Sequence, residues 1–244
     1  RWSVRAYPNP ATKCPNCGSR YMGAFGVGTQ RVEDELRMLL PEGVEIIRMD
    51  ADTTSTKGAH QKLLERFDAA DSAVLIGTQM IAKGLDFPEV TLVGVINADT
   101  MLKLPDFRAA ERTYNLLEQV SGRAGRGDKA GKVIIQTYWP THPAIASVKT
   151  HNRNIFLSEE VAERKEAYYP PYSRLANIIF WGRSERDVCT SANELAEALH
   201  EMVGKKEGWE ILGPADCVKA KVKDKYRRHV LVKAPVEENI GSLI

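Results

Sequence analysis

From about residue 23 the chain alternates short apolar runs with amphipathic stretches, and the change of period between them marks out its elements. AFGVGT (24–29) reads as a strand ending in glycine. QRVEDELRMLL (30–40) sets Val32, Leu36, Leu39 and Leu40 on one helical stripe. VEIIRMD (44–50) predicts a strand, KGAHQKLLERF (57–67) a helix, and SAVLIGTQ (72–79) a strand running into a glycine-punctuated loop. VTLVGVINAD (90–99) is almost continuously apolar, as expected of a parallel strand buried on both faces. DFRAAERTYNLLEQVSGRAG (106–125) predicts a long helix capped by Asp106, and KVIIQTYW (132–139) a further strand. This β-α-β-α order with short connections predicts an α/β domain on a mostly parallel sheet, here assigned to residues 23–150.

Residues 142–168 read as helical throughout, with 151–170 a helical linker that ends firmly at Tyr168-Tyr169-Pro170-Pro171. A second unit, 171–244, follows. RLANIIFWG (174–182) predicts a strand and ERDVCTSANELAEALHEMV (185–203) an amphipathic helix. EILGPADCVKAKVKDKYRRHVLVKAP (210–235) predicts a strand, a Gly-Pro turn and two more strands, and the sequence stops at Leu243-Ile244 within an expected final helix. That combination is a small α+β domain, expected to be truncated here. Residues 1–22 form a short polar stretch with a cysteine pair near its end.

Composition narrows the class. With 43% hydrophobic and 27% charged residues over 244 positions, the chain is globular rather than disordered or fibrous. No apolar run approaches the roughly 18 residues needed to span a bilayer. The first residues carry no apolar signal segment, and Cys14 and Cys17 have a metal-ligand or redox spacing rather than that of a disulfide framework, so a cytoplasmic location is expected. The start at Arg1 in place of methionine leads us to expect a piece of a longer protein. A net charge of +2 is too small to imply nucleic acid by itself, so the distribution of charge has to carry that inference.

Three segments carry candidate chemistry. Q-V-S-G-R-A-G-R, Gln119 to Arg126, places Arg123 and Arg126 on a glycine-interrupted turn after a helix. Two guanidinium forks there can converge on one anion, the charge compensation that a transferring phosphoryl group requires. Equally, they can answer the helix macrodipole at an ordinary C-terminus. G-T-Q-M-I-A-K-G-L-D-F-P-E-V, Gly77 to Val90, follows a strand and so lies where open α/β sheets bind ligands. Thr78, Gln79 and the loop amides could meet phosphate oxygens, and Asp86 a ribose hydroxyl; a solvated loop with an Asx turn is the plainer alternative. Neither a G-x-x-x-x-G-K-[ST] phosphate loop nor a D-E-x-H strand end occurs, so any nucleotide site here needs a second lobe, and the chain alone is expected to be inactive.

The third segment is basic. Lys219, Lys221, Lys223, Lys225 and Arg227 alternate without a gap and, on a single strand, would share one face at about 6.6–7 Å per step. That step is near the spacing of phosphates along an extended single strand, while an edge strand kept soluble by lysine is the alternative. Cys14 and Cys17, in C-P-N-C, have metal-ligand spacing but make only two of the four ligands a structural zinc needs. Cys189 and Cys217 read as small buried residues. Tyr138, Trp139, Tyr168, Tyr169 and Tyr172 could stack bases but read first as packing groups, and His142 and His151 as surface or capping groups. Asp50 and Asp52, with Thr53 and Thr54, are expected to shape a loop.

GTQRVEDEL, RMDADTT, GTQMIAKGLDFPEVTLVGVINAD, LPDFRAAERTYNLLEQVSGRAGR and VIIQTY, in this order, closely resemble the second motor lobe of superfamily 2 helicases, specifically the primosomal protein N′ family of replication-restart DNA helicases. CPNCGS resembles the last cysteine pair of that family's zinc-binding insertion, and YYPPYSRLA with KVKDKYRRHVLVK its C-terminal domain. The resemblance implies a RecA-like lobe that shares ATP and Mg²⁺ with a lobe absent from this chain. Arg123 and Arg126, with Gln119 and Gly122, would reach the nucleotide, and Gly84 and Asp86 would lie near its sugar. Gly28, Thr29, Thr78, Gln79 and Lys83 would follow the backbone of one strand. It further implies 3′-to-5′ unwinding at stalled forks, single-stranded and forked DNA as substrates, a single-stranded-DNA-binding protein and other primosome members as partners, and half of a zinc site at Cys14 and Cys17, expected metal-free here. A non-catalytic DNA- and protein-docking platform, or another superfamily 2 translocase such as an RNA-unwinding enzyme, remains the alternative.

Overall fold

The computed structural model describes residues 28–50, 53–54, 58–78, 81, 89–122, 131–204 and 206–242. The chain divides into two compact units between Phe156 and Leu157. The first has α/β architecture. Helix α1 (Thr29–Leu39) precedes β1 (Glu45–Met49), α2 (Ala59–Asp68) and β2 (Ala73–Gly77). Strands β3 (Leu92–Val95) and β4 (Lys132–Ile135) are separated in sequence by α3 (Asp99–Leu102) and α4 (Ala109–Ser121), and α5 (Pro143–Thr150) follows. Helix α6 (Arg153–Glu166) crosses the unit boundary.

β1 pairs with β2 and β3 with β4, both parallel, and among the described residues no ladder joins the two pairs. Ile47, Met49 and Ile76 are buried at the first pair. Tyr114 and Leu117 of α4, with Ile145 and Val148 of α5, form a core against Val95 and Ile135, and the Tyr114 ring stacks on Phe156 at 4.6 Å. This helical packing follows the sequence period, since Tyr114 and Leu117 are three apart on α4.

Several expectations change. β3 is not buried on both faces: Leu92 is 58% exposed, and cover alternates along the strand because one face, with Val95, packs on the α4–α5 core. Leu39, placed on the α1 stripe, is 78% exposed, while Val32, Leu36 and Leu40 are partly covered. Asp106 does not cap α4, which starts three residues later; its carboxylate instead holds Arg108 and Arg112. Burial works against the Asp106 charge, but the hydrogen bonds and charge of these arginines outweigh it and leave its pKa lowered. The helix expected over 142–168 breaks at His151, whose positive φ of 51° ends α5 before Asn152 begins the next turn. The strand expected over 24–29 lies mostly outside the described residues; within them Gly28 is the N-cap of α1 and Thr29 its first residue.

The second unit is a three-stranded antiparallel sheet, β5 (Arg174–Gly182), β6 (Glu210–Val222) and β7 (Lys225–Ala234) in the order β5-β7-β6, covered on one face by α7 (Glu185–Val203). Val188, Ala192, Ala196, Leu199 and Val203 recur at helical spacing and are buried. Ala196 and Leu199 meet Val230, Val232, Ile178 and Phe180 in one core. The Ser184 hydroxyl caps α7 by accepting from the Asp187 amide. The Gly-Pro turn expected inside 210–235 is absent. β6 runs through Gly213-Pro214 with a shift of register between Leu212 and Ala215. Gly213 permits this, with φ 105° and a backbone oxygen of His229 only 2.9 Å from where a Cβ would stand. Ile240–Ser242 form a short 3-10 turn, and Leu243 and Ile244, where a final helix is expected, lie outside the described residues.

Candidate functional site

In the first unit Thr29, Asp50 and Thr78 gather at the carboxyl ends of β1 and β2. Met49 pairs with Gly77, so Asp50 and Thr78 leave adjacent strand ends. The Thr29 hydroxyl, in the first turn of α1, donates to the Asp50 carboxylate at 2.7 Å. The Thr53 amide donates to the other carboxylate oxygen at 3.0 Å, and Arg48 stands 3.5 Å away. Asp50, 8% exposed, is thus saturated by donors and serves as the anchor of this edge rather than as a base. This agrees with the expectation that it shapes a loop. Gly77 is required by space: a Cβ there would lie 2.5 Å from the Met49 carbonyl oxygen. Thr78 is exposed at the edge, and its carbonyl accepts from the Ile81 amide.

Beside the Asp50–Arg48 pair, the described candidates Gly28, Thr29 and Thr78 are uncharged and able to hydrogen-bond. Gly28 is exposed and Thr29 half-buried; away from this edge, Gln119 is half-buried in the last turn of α4, and Gly122 is the exposed cap that follows. These groups can orient a phosphate or sugar but supply no compensating charge, so by themselves they do not amount to an ATP site. Arg123, Arg126, Gln79, Lys83, Gly84 and Asp86 lie outside the described residues, as do Cys14, Cys17 and Asp52. No cluster of three His, Cys, Asp or Glu side chains suited to a metal occurs among the described residues, and Cys189 and Cys217 are half-buried rather than core. Burial raises the Cys217 thiol pKa against the opposing charge of Arg227. No described helix is long and apolar enough to cross a membrane.

The basic segment of the second unit differs from the stripe read in the sequence. The chain reverses at Lys223-Asp224, both at positive φ, with Val222 opposite Lys225 and Lys221 opposite Tyr226. The five cations therefore divide between two strands and a turn. Lys221 lies over the Tyr226 ring at 4.8 Å and 3.6 Å from Asp224. Arg228 pairs with Asp216 at 3.2 Å. Lys233 is 5% exposed, donating to the Ala167 carbonyl at 2.9 Å, 3.2 Å from Glu210 and 4.2 Å from the Tyr169 ring centre. It fastens the sheet to the segment before Pro170 and is withdrawn from any ligand. Lys223, Lys225 and Arg227 form no ion pair among the described residues.

The aromatic candidates separate similarly. Tyr169 packs under Lys233, and the Tyr168 hydroxyl approaches Gly208, with burial raising its pKa. Tyr138 is 83% exposed, and Trp139 packs edge-on to His142, the residue that caps α5 through Nδ1. Trp181, not among the sequence candidates, is 69% exposed on β5 directly opposite Arg227. The signal for it was the alternation Asn177, Ile179, Trp181, which places a large aromatic residue on the face opposite Ile178 and Phe180.

Comparison with known proteins agrees with this division. Residues 24–128 match the helicase conserved C-terminal domain, and residues 165–244 the primosomal protein N C-terminal domain. The replication restart protein PriA of Bacillus subtilis (strain 168) is 49% identical over 237 residues, 97% of this chain and 29% of that protein. PriA of Synechocystis sp. is 45% identical over 91% of this chain and 26% of the relative, and PriA of Treponema pallidum 42% over 93% and 34%. The chain thus spans about three tenths of the length of these relatives. With identities of this size running along nearly its whole length, the chain belongs to the PriA replication restart family.

Proposed function

We propose that this chain forms the C-terminal part of an ATP-dependent 3′-to-5′ DNA helicase that reopens stalled or branched forks for primosome assembly. Its first unit is then a RecA-like lobe facing a nucleotide held by another lobe. The observation that carries this reading is the convergence of Thr29, Asp50 and Thr78 at one carboxyl edge, in a chain whose residues 24–128 match a helicase domain. Arg123 and Arg126 would offset charge developing on the transferring phosphoryl group, with Gln119 and Gly122 beside them and Gly84 and Asp86 near the sugar. ATP with Mg²⁺ would supply the energy of cleft closure and opening. Gly28, Thr29, Thr78, Gln79 and Lys83 would track the backbone of one DNA strand, and the cations of the second unit would add a salt-sensitive grip. Cys14 and Cys17 would complete a zinc site whose other ligands come from elsewhere in the protein. A single-stranded-DNA-binding protein and other primosome members are the expected partners.

The double substitution Arg123→Ala with Arg126→Ala in the full-length protein tests this. DNA-stimulated ATP hydrolysis is expected to fall by about a thousandfold or more, with DNA binding retained. Unchanged hydrolysis with DNA binding lost would support a docking platform instead.

A further inference from the structure

The sheet of the second unit has one face covered by α7; the other is open towards the β6–β7 hairpin, while farther along it Lys233 is buried against Ala167 and Tyr169. Strand alternation and register assign residues to the open face: Asn177, Ile179 and Trp181 from β5, His229, Arg227 and Lys225 from β7, and Val222 from β6. Ile179, Trp181, Val222, Lys223, Lys225 and Arg227 line a shallow groove there, next to the hairpin turn. Ile179 is 45% and Trp181 69% exposed, an apolar floor that the unit leaves uncovered. The Lys225 Nζ lies 4.5 Å from the Trp181 ring centre, so a cation sits against the indole while most of the side chain stays open.

From this we propose that the open face binds unpaired nucleotides, with Trp181 as a base-stacking platform and Lys223, Lys225 and Arg227 as the phosphate contacts. The inference rests on the DNA-binding reading above and deepens it by naming the face and the aromatic residue. Three features select this occupant. Lys225 and Arg227 stand two residues apart on one face, about 6.6–7 Å, a step that suits successive phosphates of an extended strand. A flat exposed indole beside cations is the pairing that holds single strands without reading sequence, since every base offers a π-face. The groove sets Ile179 and Trp181 between these cations, and a base already stacked on its neighbours inside a duplex offers no free π-face to Trp181. His229 adds no charge near neutral pH, because burial holds its pKa below the ordinary value against the pull of Asp216. Lys221 and Arg228, on the other register positions, are already engaged with acids.

The test is equilibrium binding of a fluorescein-labelled thymidine 15-mer to the protein without ATP, followed by anisotropy across a salt series. A duplex of equal length and an acidic peptide serve as competitors. Trp181→Ala is expected to weaken the single strand about tenfold, with Trp181→Phe recovering most of the loss. Because Trp181 is largely exposed, its removal opens no cavity, and an unchanged thermal melt checks this. Lys225→Gln with Arg227→Gln is expected to reduce the slope of log affinity against log salt by about 1.4. Binding that Trp181→Ala leaves intact, an equal loss on the duplex, or displacement of the fluorescein strand by the acidic peptide in preference to unlabelled strand each overturns the inference. Failure of the unsubstituted protein to bind the 15-mer would instead overturn the DNA-binding reading on which it rests.

Discussion

The two units bring functional groups together by opposite routes. In the first, strands of four or five residues lie parallel, and each returns to the same edge only after a crossover. Thr29, Asp50 and Thr78, drawn from three separate places in the chain, therefore meet at one strand end. In the second unit, strands of nine to thirteen residues run antiparallel, and a two-residue turn folds sequence neighbours onto one face. There the groove residues are carried by the strands and the turn between them, with Lys223 in the turn, Lys225 and Arg227 on one strand and Trp181 across the ladder from Arg227. The first surface thus depends on tertiary anchors between distant segments, whereas the second depends on register.

The sharpest way to break this contrast is at the parallel edge. Gly77→Ala forces a Cβ against the Met49 carbonyl oxygen and the Ile81 side chain. Ile81 can move but the backbone oxygen cannot, so a loss of about 2–3 kcal/mol is expected in denaturant unfolding. A loss below about 0.5 kcal/mol would show that the β1–β2 edge yields easily.

A smaller effect is expected where the anchor is a side chain. Thr29→Val keeps the shape of the residue but removes the donor to Asp50, and should cost about 1–2 kcal/mol by the same measurement. A neutral result would mean that Thr53 and Arg48 satisfy Asp50 without it.

The smallest effect lies in the second unit and depends on pH. His229 donates from Nδ1 to the Asn177 side-chain oxygen at 3.1 Å, and burial lowers its pKa in the folded state below the ordinary value of about 6.5. The unfolded chain then binds a proton at a pH where the folded chain does not. Stability from this group is complete above the unfolded value and falls as pH drops below it towards the folded value. Unfolding midpoints at pH 7.5 and 5.5 should therefore differ more for the unsubstituted protein than for His229→Gln; equal differences would exclude a role for this imidazole.

Much of the architecture was legible in the sequence because the periods are clean. The bounds of β5 and α7 agree with the sequence reading, since alternation over 174–182 gives way to the helical stripe from Val188 to Val203 under a serine cap. Turn chemistry was less legible. Gly213-Pro214 has the composition of a turn, yet the strand continues through it as an irregularity, while the real reversal at Lys223-Asp224 contains neither glycine nor proline. Unbroken lysine alternation thus disguised a hairpin as one strand. The break between α5 and α6 was hidden for a related reason: His151 and Asn152 interrupt no apolar period, and the left-handed residue that ends α5 carries no glycine.

The sequence by itself determined the order of elements, the apolar stripes and the presence of the helicase-like motifs, because these depend on local periodicity and on short spacings. Only the tertiary structure decided that Lys233 is buried and internally paired, that Asp50 is an anchor, and that Trp181 stands open beside Lys225. Those properties depend on which distant groups come within hydrogen-bonding or van der Waals reach, and strand pairing settles that through register rather than through any residue's immediate neighbours.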